Sequence, residues 1–307
     1  MSIPVNSFFV FQAYGNIGIL QECLLALLSL CRNSNREDLA GTEIWIYTDN
    51  PGFFSSFKDC WLNLRFRELE PATLDEWRGA VDFVHRVKVC MLRDFTKEKN
   101  GQVLYLDTDV YFLRPVNEIF KNISAGNLYM HTKEGLVHGS DNFVFRKLSH
   151  FIKSRKSILP AGISSINIPP NTTMWNAGVL GFSTDRSEIL DCVLEFTDSV
   201  YKEYPKHIIE QYAFSIYFGN YGQILPADAV VFHYWNLKEL RVLLQSFFEH
   251  FNDCSWDELV KYSKMIDPVG LVDEKQRFRM CRSLMDKLLG RKWIPKLPEW
   301  DLLIQKL

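Results

Sequence analysis

Two aspartates separated by one threonine follow an apolar segment, in the sequence QVLYLDTDVYFLRP from Gln102 to Pro115. Val103–Leu106 predicts a buried strand, and Asp107 and Asp109 come directly after it. Residues i and i+2 at the end of a strand can turn toward the same side, so both carboxylates can bind one cation. Their oxygens, completed by those of a diphosphate, suit Mg²⁺ or Mn²⁺. Without a cation the two charges repel each other, so we expect strain here in the ligand-free protein.

A surface turn with two solvated acids is the competing interpretation, because Asp-x-Asp is a common sequence. The apolar segment Val110–Leu113 after the pair favours a functional position instead.

His233 follows a second apolar stretch, Ala229–Phe232. A single histidine after a strand is more often a structural group, but beside the two acids it becomes a candidate third metal ligand.

Three further polar positions are candidates for binding or catalysis. Asn176, in MWNAGVLGF, could bind a sugar hydroxyl or an adjacent loop. Glu210 and Gln211 open the apolar segment EQYAFSIYF, where an acid could equally well stabilise the first turn of a helix. Lys88 lies on the predicted helix before the aspartates, where it could neutralise a phosphate or simply face solvent.

The composition excludes several classes of protein. The 307 residues include 35 Lys and Arg against 37 Asp and Glu, and this balance does not favour a nucleic-acid partner. Seven scattered cysteines without a Cys-x-x-Cys pair predict a reducing compartment. No signal peptide and no apolar window long enough to span a bilayer is recognisable, so we expect a cytoplasmic protein.

The alternation of apolar strand and helix patterns predicts an α/β fold with a parallel sheet over the first half of the chain. The predicted strands are Ser7–Gln12, Glu43–Thr48, Leu64–Leu69, Val103–Leu106, Asn127–His131, Trp175–Phe182 and Gly222–Leu225. The predicted helices are Ile19–Cys31, Trp77–Phe95, Ser187–Tyr204, Ile208–Phe218, Leu237–Phe251, Ser255–Ile266 and Glu274–Leu289. Leu159–Thr173 is predicted to be a loop that contributes to acceptor specificity. Residues 1–235 form the predicted catalytic domain, and residues 236–307 form a helical extension packed on it.

Polar residues or turn signals follow three of these strands. Ala13 and Tyr14 come after the first strand, Asp49 after the second, and Asp107 after the fourth. Open α/β sheets bind ligands outside the carboxyl ends of their strands, so we expect these residues at one crevice.

Four segments in this order, YLDTDVYFLRP, WNAGVLGF, EQYAFS and FHYW, resemble the GT-A nucleotide-sugar glycosyltransferases. The pattern is similar to family 8, which includes glycogenin and lipopolysaccharide sugar transferases, and it extends from Phe8 to Trp235. The resemblance implies a Rossmann-like, mostly parallel mixed sheet flanked by helices. It also implies metal-dependent transfer of a hexose from a nucleotide-diphosphate sugar, with UDP as the expected nucleotide and retention of the anomeric configuration.

The resemblance assigns roles to individual residues. Mn²⁺ or Mg²⁺ would be bound by Asp107, Asp109 and His233. The catalytic positions near the sugar would be Asn176, Glu210 and Gln211, where Glu210 replaces the family's Asp. The donor-binding residues would be Ala13, Tyr14, Asp49, Lys88, Asp107 and Thr108. The chain departs from the family after the histidine, where HYWNLKE replaces the usual Gly and Lys-Pro-Trp; Lys238 is the candidate substitute for the phosphate-binding lysine, and the preference for uridine is weakened.

Two other functions compete with transfer of a sugar. A sugar-phosphate nucleotidyltransferase would also bind Mg²⁺ through acids, but its first loop is usually Gly-rich and basic, whereas this loop reads QAYGNIG. A catalytically degenerate binding module would not need the acids and the histidine.

The acceptor, whether a glycan, a lipid-linked sugar or a protein, is not identified by any motif. The segment from Lys275 to Lys296 mixes basic and apolar residues. It predicts an amphipathic helix packed on the main domain or, alternatively, weak contact with the inner face of an anionic membrane.

Overall fold

The computed structural model describes residues 3–4, 6–57, 59–154, 172–283 and 289–305. Most of the predicted loop Leu159–Thr173 lies outside these residues, as do Leu284 and Leu288 of the basic C-terminal segment. Within the described ranges no helix is long and apolar enough to cross a membrane.

Eleven strands occur in the described part of the chain. In chain order they are β1 Ser7–Gln12, β2 Thr42–Thr48, β3 Leu64–Glu68, β4 Gln102–Leu106, β5 Val110–Phe112, β6 Leu128–Met130, β7 Lys133–Leu136, β8 Thr173–Trp175, β9 Val179–Ser183, β10 Ile224–Pro226 and β11 Val231–His233. Seven of them form one sheet in the order β10-β6-β9-β4-β1-β2-β3, while β11 pairs with β5 and β7 pairs with β8. In the large sheet β9 is antiparallel to both neighbours, and the other pairings are parallel. The predicted mixed, mostly parallel sheet is therefore confirmed.

Helices cover both faces of this sheet. They are α1 Ile17–Asn33, α2 Arg36–Leu39, α3 Pro51–Ser55, α4 Pro71–Arg78, α5 Arg86–Glu98, α6 Asn117–Ser124, α7 Phe143–Ser154, α8 Glu188–Glu203, α9 Ile208–Tyr221, α10 Leu240–His250, α11 Trp256–Tyr262 and α12 Pro268–Cys281, with a last turn at Trp300–Ile304. β1 and β4 are apolar along their length because each lies between two strands with helices above and below, so both faces are buried.

Two predicted elements are interrupted in the structure. The helix predicted at Trp77–Phe95 is two helices, α4 and α5, because Gly79 has a φ of 66° and ends the first one. The strand predicted at Trp175–Phe182 is also two, β8 and β9, with the turn Asn176–Gly178 between them. The prediction missed the short helices α2 and α3, and it also missed α6, β7 and α7.

The C-terminal helices share a hydrophobic core with the sheet. Leu244 of α10, Trp256 of α11 and Trp300 are almost fully buried in the cluster that also contains Phe9 of β1. In α12, Lys275 is buried and binds Glu239, whereas Met280 is 77% exposed. Residues of α10, α11 and the last turn thus contribute to the same hydrophobic cluster as the sheet.

Candidate metal and donor site

Strand pairing brings the predicted histidine to the aspartates. The chain leaves the large sheet at the end of β4, passes through Asp107 and Asp109, and enters β5. β11 runs antiparallel to β5 with His233 opposite Val110, and the amide of Tyr234 donates to the carbonyl of Asp109 at 2.9 Å. This register places three potential ligand atoms, from Asp107, Asp109 and His233, within 4.8 Å of one another.

The turn between β8 and β9 forms the wall beside this cluster. β9 pairs with β4, so the turn lies next to the end of β4, and the amide of Asp107 donates to the carbonyl of Gly178 at 2.8 Å. A Cβ on Gly178 would lie 2.2 Å from Cε1 of His233. Only glycine therefore allows the imidazole to pack this closely against the turn.

Two helices complete the site. Glu210 and Gln211 are in the first turn of α9, which is held against β8 because Ser215 Oγ accepts from the amide of Trp175 at 2.9 Å. Lys88 is near the start of α5. Its side chain is 4% exposed and reaches Asp107, the residue that follows β4. Both helices thus point charged groups at the end of β4.

These side chains surround a cavity of about 560 Å³. Eight sequence-predicted residues line it, namely Lys88, Asp107, Asp109, Asn176, Glu210, Gln211, His233 and Lys238. The lining also includes Glu134, two further histidines and the exposed Trp235.

Asp109 is buried between two basic groups. Its Oδ1 lies 3.1 Å from Nε2 of His233, and its Oδ2 accepts from Nζ of Lys238 at 2.6 Å. Burial alone would raise the pKa of this carboxyl, but the hydrogen bonds and charges of His233 and Lys238 outweigh it and hold the pKa well below its usual range. Asp109 is therefore a firmly ionised carboxylate, as a metal ligand must be.

Lys88 is the cation beside the other aspartate, Asp107. Its Nζ lies 3.3 Å from Oδ1 of Asp107 and 3.3 Å from Oε1 of Glu210, and it donates to the carbonyl of Ala177 at 3.0 Å. Tyr105 also donates to Oδ1 of Asp107. The expectation of strain between the two aspartates was wrong, because each carboxylate is already paired with a lysine of the chain.

Glu210 is 2% exposed, and burial raises its pKa to about 7, although the nearby Lys88 opposes this shift. Its Oε1 contacts Lys88 but accepts no hydrogen bond from any residue within the described ranges. A buried carboxyl that lines a cavity and is paired with a lysine is a candidate for contact with a ligand.

Glu134 of β7 was not predicted, although it joins two predicted residues. It accepts from Nδ2 of Asn176 at 3.0 Å through one oxygen and from Nε2 of Gln211 at 2.8 Å through the other. A single acid in a short polar segment carries no recognisable pattern, so only the fold could have identified it.

His131 was also missed: its ring packs edge to face against that of His233, with centroids 5.4 Å apart.

The remaining predicted donor-binding residues lie outside the lining of this cavity. Ala13 and Thr108 are buried, and Asp49 is exposed at the end of β2, where its Oδ2 accepts from the amide of Gly15 at 3.0 Å. Burial raises the pKa of Tyr14, against the lowering influence of Arg78. The ends of β1 and β2 thus meet each other, but their residues do not line the cavity that contains Asp107.

No protein-family model matches the sequence, and no curated protein matches it. Among solved structures, mouse xyloside xylosyltransferase 1 in its apo form has 14% identity and a TM-score of 0.48, with 73% of this chain and 86% of that one covered. GlyE of Streptococcus pneumoniae TIGR4 has 13% identity and a TM-score of 0.47, with 90% of this chain and 64% of that one covered. The galactosyltransferase LgtC, solved with donor and acceptor sugar analogs, has 14% identity and a TM-score of 0.44, with 72% and 73% covered. All three are named as glycosyltransferases.

Proposed function

We propose that this chain is a metal-dependent glycosyltransferase that uses a nucleotide-diphosphate sugar, foremost a UDP-sugar, as donor. The observation that carries this proposal is the cluster of Asp107, Asp109 and His233 in the same cavity as the buried pair Lys88 and Glu210. In the competing interpretation both acids would be solvated in a surface turn, whereas Asp109 is buried beside an imidazole.

The residues of the cluster fit a divalent metal of the Mn²⁺ or Mg²⁺ type. Two carboxylate oxygens and one imidazole nitrogen within 4.8 Å can reach a single ion, and oxygen ligands predominate, as these ions prefer. When bound, the metal would offset the negative charge that develops on the leaving diphosphate.

Lys88 supplies a fixed positive charge to the same reaction. Its ammonium is buried, and although burial disfavours the charge, Asp107 and Glu210 raise its pKa, so it remains charged. A cation placed in advance at a water-poor site stabilises developing negative charge without reorganisation of solvent. Lys238, on the open side of Asp109, would substitute for the phosphate-binding lysine of the family.

Glu210 and Gln211 would line the reacting face of the donor sugar, together with Asn176. Glu210 lines the cavity, so its carboxyl can accept from a sugar hydroxyl or face the positive charge that develops at the anomeric carbon. Retention of configuration rests on the family resemblance alone.

The nucleoside end of the donor would extend toward the ends of β1 and β2. Ala13, Tyr14 and Asp49 lie there, and Thr108 lies between the two aspartates. We assign these residues to donor binding because the resemblance places the nucleotide on this side of the aspartate pair.

The acceptor would be a glycan, a lipid-linked sugar or a protein, and the protein would act in the cytoplasm. If the acceptor is lipid-linked, exposed residues such as Met280 would make weak contact with the inner face of the membrane. Co-sedimentation with anionic liposomes at low salt tests this contact. Pelleting that disappears as salt is raised is expected, and no pelleting at low salt would exclude it.

A screen of nucleotide-sugars for hydrolysis without an acceptor tests the proposed function and identifies the donor. We expect one sugar nucleotide to be hydrolysed slowly with Mn²⁺, and this hydrolysis to stop with EDTA. Release of a sugar phosphate and a nucleoside triphosphate in the presence of pyrophosphate would indicate a nucleotidyltransferase instead. Metal-dependent binding of UDP or GDP without turnover of any donor would indicate a binding module.

A further inference from the structure

We infer that Glu134 is a positioning residue that, through Asn176, fixes which nitrogen of His233 faces the metal cluster. This inference rests on the proposed function in that it gives the histidine a metal to bind. It assigns to Asn176 a structural task toward the histidine in addition to any contact with a sugar.

The first step concerns the amide of Asn176, whose two ends have different partners. Its Nδ2 donates to Oε1 of Glu134 at 3.0 Å, and its Oδ1 accepts from the amide of Gly178 at 3.0 Å. Rotating the amide by half a turn would place oxygen against a carboxylate at one end and NH₂ against a backbone N–H at the other. Both contacts would become repulsive, so Glu134 and Gly178 together fix the orientation.

The second step concerns the imidazole. Nδ1 of His233 lies 2.8 Å from Oδ1 of Asn176, which can only accept a hydrogen bond. Nδ1 therefore carries a proton. Nε2 lies 3.1 Å from Asp109 and 3.7 Å from Asp107, so it is the nitrogen that faces the metal cluster. A histidine that binds a metal needs one ring nitrogen whose N–H is held by a hydrogen bond and a second ring nitrogen whose lone pair faces the metal.

The third step concerns Gln211, which shares the same acid. Its Nε2 donates to Oε2 of Glu134 at 2.8 Å, and its Oε1 accepts from the amide of Ala177 at 3.4 Å. One carboxylate on β7 thus orients two amides of the cavity lining, one in the turn between β8 and β9 and one on α9. Aspartate at position 134 would be one methylene shorter and could not reach both.

Affinity for Mn²⁺ in the presence of UDP or GDP, measured by isothermal titration calorimetry, tests the inference. We expect Glu134→Ala and Glu134→Asp to lose affinity by about 10- to 100-fold. Because Glu134→Asp keeps the negative charge, a loss of Mn²⁺ affinity in both variants would show that the length of the side chain matters, and not only its charge. If Glu134→Asp binds Mn²⁺ like the parent while Glu134→Ala does not, the acid acts through its charge alone and the inference fails.

Asp228→Asn is the matched control. Asp228 is an exposed acid near His131 that accepts from Thr132, two residues before Glu134. Within the described residues, no hydrogen bond or ion pair joins its carboxylate to Asn176 or His233. We expect its Mn²⁺ affinity to change by less than about twofold. A loss as large as that of Glu134→Ala would mean that any acid in this region supports the metal.

A readout without metal separates this inference from the proposed function. In ¹⁵N-labelled, metal-free protein, the Nδ1–H proton of His233 and the side-chain NH₂ protons of Asn176 should exchange slowly with solvent, and Glu134→Ala should make both exchange faster. Unchanged exchange would overturn the positioning role. A parent protein that binds no metal would refute the proposed function while leaving this measurement intact.

Discussion

Lys88 and Lys238 face the aspartate pair from opposite sides, and they differ in burial. The ammonium of Lys88 is buried among three oxygen groups, those of Asp107, Glu210 and Ala177. The side chain of Lys238 is 54% exposed, and its ammonium donates to Asp109. A buried charge with several partners is costly to disturb, whereas a solvated one can leave its partner at little cost. One side of the site therefore has a permanent cation, and the other side has one that a metal or a phosphate can displace.

Removal of the buried cation should have the largest effect. In Lys88→Met, Glu210 and Asp107 lose their cation and the carbonyl of Ala177 loses its donor. We expect donor hydrolysis to fall by about 10³-fold or more, and the free energy of unfolding to fall by about 3 kcal/mol. Urea unfolding and the hydrolysis assay measure the two effects. A stability loss no larger than that of Lys238→Met would contradict the contrast between the two lysines.

Removal of the charge on Glu210 should reduce turnover strongly with little change in the melting temperature at neutral pH. We expect Glu210→Gln to lower kcat by about 10²-fold, because the carboxylate faces the reacting sugar. A variant with parental turnover would mean that Glu210 only stabilises the first turn of α9.

The pH dependence of stability reports on the same residue. The pKa of Glu210 is raised to about 7 in the folded protein, above its unfolded value, so the folded state holds the proton more tightly. This contribution to stability is complete below about pH 4.5 and is lost as pH rises toward 7. Urea unfolding across this range should show that slope in the parent and a flatter one in Glu210→Gln; identical slopes would contradict the buried environment.

Removal of the exposed cation should have the smallest effect. Lys238→Gln should change the free energy of unfolding by less than about 1 kcal/mol, because the ion pair is largely solvated on the lysine side. Without nucleotide, Mn²⁺ should bind a few-fold more tightly to the variant, since no lysine competes for Asp109. Calorimetry with Mn²⁺ alone measures this change, and weaker binding would mean that Lys238 supports the metal site instead of competing with it.

The sequence predicted the large sheet and most of the cavity lining, because both depend on local patterns. Buried strands such as β4 are continuous apolar segments, and Asp107 and Asp109 stand out at the end of one. Glu134 could not be predicted, because its role depends on the pairing of β7 with β8, which places the acid beside Asn176. The cations beside the aspartates were also missed as partners, since Lys88 and Lys238 are distant from them in sequence and only the packing of helices and strands brings them together.

The Mn²⁺-dependent rise in melting temperature, measured with UDP or GDP, tests the central claim most directly. In the parent, the ligands should add about 2.7 kcal/mol of stability at a 100-fold excess over Kd. Asp109→Asn should lose the Mn²⁺-dependent part of the rise, because one anionic ligand becomes a neutral amide. It should also melt at a lower temperature without ligand, since His233 and Lys238 lose their carboxylate. The same Mn²⁺-dependent rise in parent and variant would show that these aspartates are not the metal site.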